Sequence, residues 1–541
     1  MRSLILLAIS MVALPVLAQT PGSCSLGTAQ EFLDDSNVQA SLLNNGNLFF
    51  GGSTTSGDGY LVPKASGNSP MFAAGIWVGG TVNGEIRVSA ARYNGFLFRP
   101  GPLNADGTLP SPSDCSPYDR IYVVGASEIE AYESGQSPAR DLADWPVGLG
   151  APTVDANGAP LVSEEEPFPQ DRTIDLEAGE RPDLHGSQMA FWVMNDVGAP
   201  RGDNQTAPLG IEVRVTAFVI ATDVDLLGAS EASFYRFTII NRSTNTLEDA
   251  RASFFTDPDL GVAGDDYMGT DTTRGMAFVY NSDEEDAVYG IPPAVGVDLL
   301  SGLSATSAYI GGGECADIDP GSPNQYYNNM KGLFGNGVPV TAYGCGYETV
   351  GDTTAFFFTG DPVMEAFWSE ISSDVRDAPN VTGDRRAVVS ANLNTLSPGD
   401  TAIVDAAVLF AQGTSYLDSI TELRAVSDGV QQAYAAGVLF DFPQLVSDEG
   451  GPQRGDLTLG PVSPNPTASS LTVPYTLARP STVKLAMVDV LGRQVLELVN
   501  ARQLEGSHTA TLDASALAPG VYLIQLRAGD ETRTTRVTVV R

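Results

Sequence analysis

The chain has 541 residues, 43% of them apolar, with 57 glycines, 35 prolines and a formal net charge of −37. The length implies three or four domains, the apolar fraction suffices for a folded core, and abundant Gly and Pro with little helical periodicity imply a mainly β fold. A chain this acidic excludes nucleic acid and anionic lipid as partners and favours cations.

Residues 1–18 read "MRSLILLAISMVALPVLA". Arg2 is a short positive leader, Leu4 to Val16 an apolar run, and Val16-Leu17-Ala18 a small-residue cleavage site, so a secretory signal peptide cleaved after Ala18 is expected. No later run has the length of a membrane span, so no membrane-spanning segment is expected in the mature protein. Four cysteines in an exported chain imply disulfides. Of three possible pairings we favour Cys24–Cys115 and Cys315–Cys345; the spacings and the single histidine of the body, His185, argue against zinc.

Residues 19–183 form a first, β-rich region. "FAAGIWVGGTVNGEIRVSAARYNG" predicts a hairpin about Asn83-Gly84. From Pro138 to Pro182 the sequence is rich in Pro, Asp and Glu, and "SEEEPFPQDR" reads as a long acidic surface loop.

Residues 184–446 form a second, sandwich-like region. "MAFWVMND" and "GIEVRVTAFVI" are predicted strands; in the latter Ile211, Val213, Val215, Ala217 and Val219 share a face by period-2 alternation. "ASFYRFTIINRSTNTLEDARASFF" predicts strand, polar turn, strand, and "RRAVVSANLNTLSPGDTAIVDAAVLFAQG" predicts two more strands about Ser397 to Asp400. One helix is expected near 415–436, with Leu417, Ile420, Leu423, Val430 and Tyr434 roughly on one face and Gly437 ending it.

Between these strands lies "TDPDLGVAGDDYMGTDTT", Thr256 to Thr273. Asp257, Asp259, Asp265, Asp266 and Asp271, with glycines at 261, 264 and 269, are the residue types from which a hard cation such as calcium takes carboxylate and carbonyl oxygens. The spacing is not that of an EF-hand. Structural calcium is the favoured reading; a solvated acidic turn and catalytic carboxylates are the alternatives. "NSDEED" at 281–286 can add ligands if a hairpin returns it.

No nucleophile-elbow, zinc-protease or phosphate-loop signature is present. His185 beside Ser187 reads as a turn. Glu365 and Glu370 flank Phe367-Trp368, a pattern open to glycoside hydrolysis but read in the first place as an aromatic-rich core strand or turn. No residue is therefore assigned a catalytic role. The body is expected to be a non-enzymatic surface, binding or structural protein; the alternative is an extracellular hydrolase of glycans or peptides using acidic residues.

Residues 447–458, containing "SDEGGPQRGD", read as a linker. The remaining stretch has six short predicted strands and reads as a small β-sandwich. From Asp456 onward there are 8 basic and 7 acidic residues, whereas residues 3–455 hold 20 basic and 59 acidic, a balance of −39.

Within 459–541, "PNP" at Pro464, Asn465 and Pro466, the D-x-x-G-R turn of Asp489, Gly492 and Arg493, the G-x-Y of Gly520 and Tyr522, and a basic final strand occur in order. This stretch resembles the type A C-terminal sorting domain of the type IX secretion system. The resemblance implies an immunoglobulin-like sandwich and export through the periplasm to the medium or outer cell surface. It also implies partners: the type IX machinery, and a sortase-like peptidase that can attach the trimmed chain to surface lipopolysaccharide. The body, through "DPDLG", "YYNNMKGLFGNG" and "DRRAVVSANLNTLSPGD", more faintly resembles large uncharacterised secreted proteins of the same export system.

Overall fold

The computed structural model describes residues 24–440 and 457–539 except 51–58, 91, 94–96, 112–114, 162–168, 200–204, 223–228, 311–318, 348–349, 372–381 and 438, and, after 457, 461, 463–464, 466, 468–469, 478–480, 490–492, 504–505, 516, 518–519 and 529–530. The expected signal peptide and the linker through 456 lie outside the described residues. Leu457–Leu459, expected to end the linker, is a strand that pairs with Ser470–Leu477.

The fold is mainly β, as the composition implies. Two large antiparallel sheets face each other in the body. The first is built around Ala73–Val82, Leu247–Asp257, Arg385–Leu396 and Ala305–Ile310; the second around Met276–Asn281, Ala294–Asp298, Thr401–Ala411, Ala232–Asn241, Ile211–Val219 and Gln188–Asn195. The sheets run across the expected boundary at 183/184, since Ala73–Val82 hydrogen-bonds to Leu247–Asp257. The predicted hairpin is present: Val82 pairs with Glu85, and Asn83 and Gly84 both have positive φ, which matches the twist of the flanking strands.

Two predicted turns carry the chain from one sheet to the other. Ala232–Asn241 lies in the second sheet and Leu247–Asp257 in the first; Arg385–Leu396 lies in the first and Thr401–Ala411 in the second. The partners of one arch are the partners of the other, so the two arches clasp the sandwich at adjacent positions. Asn241 joins them, its Nδ2 donating to Asn245 O at 2.8 Å and to Leu396 O at 2.9 Å.

The main core fills the space between the sheets and includes Ile211, Val213, Val215, Ala217 and Val219, the predicted face. The other face of the same strand is also covered: Phe218 packs in a second core with Leu142, Trp145, Val147, Ile420, Leu423 and Val430. The helix Tyr416–Ala435 supplies the last three, starting where Ser415 Oγ accepts Asp418 N–H at 3.1 Å. Leu142, Trp145 and Val147 come from the Pro- and Asp-rich segment, ahead of the stretch "SEEEPFPQDR" that reads as a surface loop. The segment's short helix Arg140–Ala143 and the turn after it are packed down, whereas 162–168 falls outside the described residues. Cys24 and Cys115 form the expected disulfide, with Cα atoms 5.5 Å apart, beside Leu103, Leu109 and Val197. Cys345 is also disulfide-bonded, and Cys315 lies outside the described residues.

Residues 457–539 form a separate pair of sheets, Leu457–Leu459 with Ser470–Leu477 and Gly506–Asp513, and Gln494–Gln503, Ser481–Asp489, Gly520–Ala528 and Glu531–Val539. Val473, Leu485, Ile524, Leu526 and Val537 are buried between them. Among the described residues no helix is long and apolar enough to cross a membrane.

Candidate carboxylate site

Asp257 is the last residue of Leu247–Asp257, and its carbonyl accepts Phe72 N–H at 2.9 Å, so the strand end is fixed against the start of its neighbour. Asp259 follows two residues later on the turn. On the other side Leu247–Asp257 pairs with Arg385–Leu396, and antiparallel pairing brings the residue before that strand, Asp384, back to the same end of the sheet. Carboxylate oxygens of Asp257, Asp259 and Asp384 all lie within 4.8 Å of one another.

Cationic and phenolic groups surround this triad. Tyr93 Oη donates to Asp257 Oδ2 at 2.6 Å. Arg386 Nε stands 2.6 Å from Tyr93 Oη and 3.1 Å from Asp257 Oδ1, and Arg386 Nη2 donates to Asp384 Oδ2 at 2.6 Å. Asp319 pairs with Arg92 and approaches Arg386 at 3.7 Å. Four carboxylates therefore face two guanidinium groups. Behind them Tyr93 packs on Phe72 and Phe255 with ring centroids 5.7 and 6.2 Å away.

The charge excess shows in the acidities. Burial pushes the Asp257 carboxyl up to about 7 against the pull of Arg386 and the Tyr93 hydrogen bond. Burial, and then the Asp384 charge, push Asp259 up to about 6. Asp384 Oδ1 is buried and receives no hydrogen bond; Asp257 Oδ1, though ion-paired with Arg386, receives none either. Acceptor oxygens without donors, on carboxylates that crowd one another, are what a hard cation would relieve.

The other three predicted ligands do not join this triad. The acidic stretch is a turn only as far as Asp265; Asp266–Asp271 is a strand paired with Met276–Asn281. Asp265 sits near Asp286, whose charge adds to burial in raising its pKa. Asp266 is fully buried, accepts Leu260 N–H at 3.2 Å, and is raised well above the usual range by burial first. Asp271 pairs with Arg274 at 2.9 Å and Arg424 at 3.3 Å. "NSDEED" does fold back, but its Asp286 accepts the Val262, Val288 and Tyr289 amides at 3.2, 2.8 and 2.6 Å. Of the three loop glycines only Gly261 has positive φ, and a Cβ there would lie 2.1 Å from Asp286 Oδ2.

Of the remaining sequence candidates Glu365 and Phe367 are exposed, whereas Trp368, Glu370, His185 and Ser187 are built into the interior. Trp368 is buried and donates Nε1–H to Gly344 O at 2.8 Å. Glu370 is buried against Arg385 at 2.7 Å and accepts Met268 N–H at 2.6 Å, so it is not free to act on a sugar. His185 is buried beside Phe218, and burial, then Arg236, lowers it to about 3. Ser187 Oγ lies within reach of the Asp35 and Val219 carbonyls. Asp384, Arg386 and Tyr93 are the residues that sequence reasoning missed. Asp384 and Arg386 stand inside the quoted "DRRAVV", but only strand pairing reveals which acidic residue they meet.

Of the expected sorting residues, Pro464, Pro466 and Gly492 lie outside the described residues. Asp489 ends one strand, Gly520 and Tyr522 begin another, and Arg493 is exposed between strands.

Residues 461–540 match the family model of the secretion system C-terminal sorting domain. That match makes the last unit an address for type IX export to the cell surface or medium and implies contact with the secretion machinery. No curated protein matches the chain. Among solved structures, a polysaccharide lyase shares 9% identity at a TM-score of 0.20, over 70% of this chain and 38% of its own.

Proposed function

We propose that the exported body is a non-enzymatic surface or binding protein that holds a structural calcium ion on Asp257, Asp259 and Asp384. The observation that carries this is the convergence of three carboxylates at the adjoining ends of two neighbouring strands, with the buried Asp384 Oδ1 receiving no hydrogen bond. An all-oxygen donor set suits calcium or magnesium, and calcium accepts the irregular shell that a strand end and a turn can supply. The ion would tie the turn after Asp257 to the segment entering Arg385–Leu396. After export, a sortase-like peptidase would remove the sorting unit and could join the body to lipopolysaccharide.

A cation bound only by the folded state adds about 2.7 kcal/mol at a hundredfold excess over Kd. Chelation should lower the Tm of the purified protein, and calcium should restore it better than magnesium. Asp257→Asn with Asp259→Asn should abolish that response, while Asp271→Asn should keep it. A Tm indifferent to chelator and calcium would reject the site.

A second reading has one observation in its favour. Two carboxylates raised to about 7 and 6 beside the Tyr93 hydroxyl could serve acid–base hydrolysis of an extracellular polymer. Screens on polysaccharides and casein separate the two readings. A turnover lost in Asp257→Asn but untouched by chelation would favour the hydrolase.

A further inference from the structure

We propose that Asn465 is a positioning residue for export, a latch that fixes the register of the strand Glu531–Val539; the proposal rests on the reading of the last unit as the sorting domain. Its side-chain amide does the work of a peptide group. Asn465 Oδ1 accepts Thr538 N–H at 2.8 Å, and Asn465 Nδ2 donates to Arg536 C=O at 3.0 Å. Two residues later Thr467 N–H donates to Thr538 C=O at 2.8 Å, and Thr467 makes a parallel bridge with Val539.

The chemistry explains why asparagine stands here. Pro464 and Pro466 have no N–H, so this segment cannot offer a continuous ladder. A carboxamide carries one acceptor and a donor in nearly the geometry of a peptide unit. Alanine supplies neither group, and aspartate keeps the acceptor while losing the donor.

The strand needs the help because only its last residues specify register. It is the edge strand of its sheet, bonded through its ladder only to Gly520–Ala528. Its sequence, "ETRTTRVTV", places threonines at positions of both parities, and threonine tolerates either face. In the observed register Val537 and Val539 are buried while Arg533 and Arg536 are exposed. A slip of one residue would turn Val537 and Val539 to the face that Arg536 and Thr538 now occupy. The latch meets Thr538 and Arg536 in only one register. The export machinery then engages a folded, in-register edge strand that displays Arg533 and Arg536, and not an extended tail.

The test uses the full chain in a cell carrying the type IX machinery, with wild type, Asn465→Ala, Asn465→Asp and a deletion of 459–541. Two quantities are read: the fraction of protein outside the periplasm, and amide exchange at Thr538 in the purified protein. Asn465→Ala should speed Thr538 exchange about tenfold or more and cut the exported fraction severalfold. Asn465→Asp, which retains the Thr538 acceptor, should fold and recover most of both. Wild-type export of Asn465→Ala with Thr538 deprotected would overturn the latch, as would unchanged Thr538 protection or an Asn465→Asp variant that is protected yet not exported. If the deletion itself reaches the exterior, the sorting reading fails; if only the Asn465 variants behave as wild type, the latch alone fails.

Discussion

Asp298 shows how an acidic residue can stabilise this molecule without a cation. It is fully buried at the end of Ala294–Asp298, and it accepts Ser427 Oγ–H at 2.6 Å and Gln431 Nε2–H at 2.5 Å, both from the helix Tyr416–Ala435. Burial raises it to about 7 although both hydrogen bonds lower it. The unfolded value is near 3.9, so the folded state prefers the proton. Its contribution is fully present below about pH 4 and is lost as pH rises through 7. Asp298→Asn mimics the neutral form. Urea unfolding at pH 5 and pH 8 should show the stability of the wild type falling relative to the variant, by no more than about 1.4 kcal/mol for each pH unit crossed between the two values. Parallel behaviour of the two proteins would refute the assignment. Asp196 makes a related point, accepting the Leu209, Gly210 and Ile211 amides at 2.6, 2.9 and 2.9 Å. In the sequence such residues look the same as Asp257. Charge and glycine spacing identified two members of the carboxylate triad, but what separates a ligand from a backbone anchor is whether amides reach the oxygen, and that is set by the fold.

At the scale of elements, local pattern and long-range pairing part company. The hairpin at Asn83-Gly84 was legible because turn chemistry and strand alternation both act within a dozen residues. The helix Tyr416–Ala435 was legible for the same reason, its apolar spacing and the glycine that ends it being local. The turns after Asn241 and Leu396 were seen as turns, but their sequences do not say that each leads into the opposite sheet. That outcome depends on two arches meeting, with Asn241 serving both: its Oδ1 takes the Ser243 amide at 3.0 Å and its Nδ2 the two carbonyls. Asn241 is fully buried. Replacing it with leucine would leave the Ser243 amide without its acceptor and the Leu396 carbonyl without the Asn241 amide, at a cost of about 1–3 kcal/mol for each buried group left unmade. Denaturant unfolding of Asn241→Leu should therefore show a loss of roughly 2 kcal/mol or more with an unchanged m-value. A smaller loss than in a substitution at exposed Asn336 would mean that the arches hold without this residue. The buried part of the Pro- and Asp-rich segment before residue 182 was not legible for a complementary reason. Its apolar residues Leu142, Trp145 and Val147 have no period because a short helix and a turn, not one continuous element, deliver them to the sheet.

For the whole molecule, division of labour was the clearest message of the sequence, since an address must be carried by contiguous residues whereas a body's site need not be. The near-neutral stretch after Asp456 and the −39 of residues 3–455 belong to units with separate hydrogen-bonded sheets. Among the described residues no strand of 457–539 pairs with any strand of the body, and the body's cores contain no residue beyond Phe440. Removing the last unit thus takes no ladder and no core side chain from the body. A chain ending at Val446 should unfold at the Tm that the body shows within the full-length protein, and keep its response to chelator. It should nevertheless stay in the periplasm, because the matched sorting domain is gone. Fractionation of cells making the two chains, with Tm measured on each, tests both halves. Truncated chain at wild-type level outside the cell would show that the body carries an address of its own. A Tm several degrees lower would show that the last unit stabilises the body through contacts other than shared strands or core. The expected pairing, export lost and stability kept, follows from hydrogen bonds and apolar burial that close within each unit.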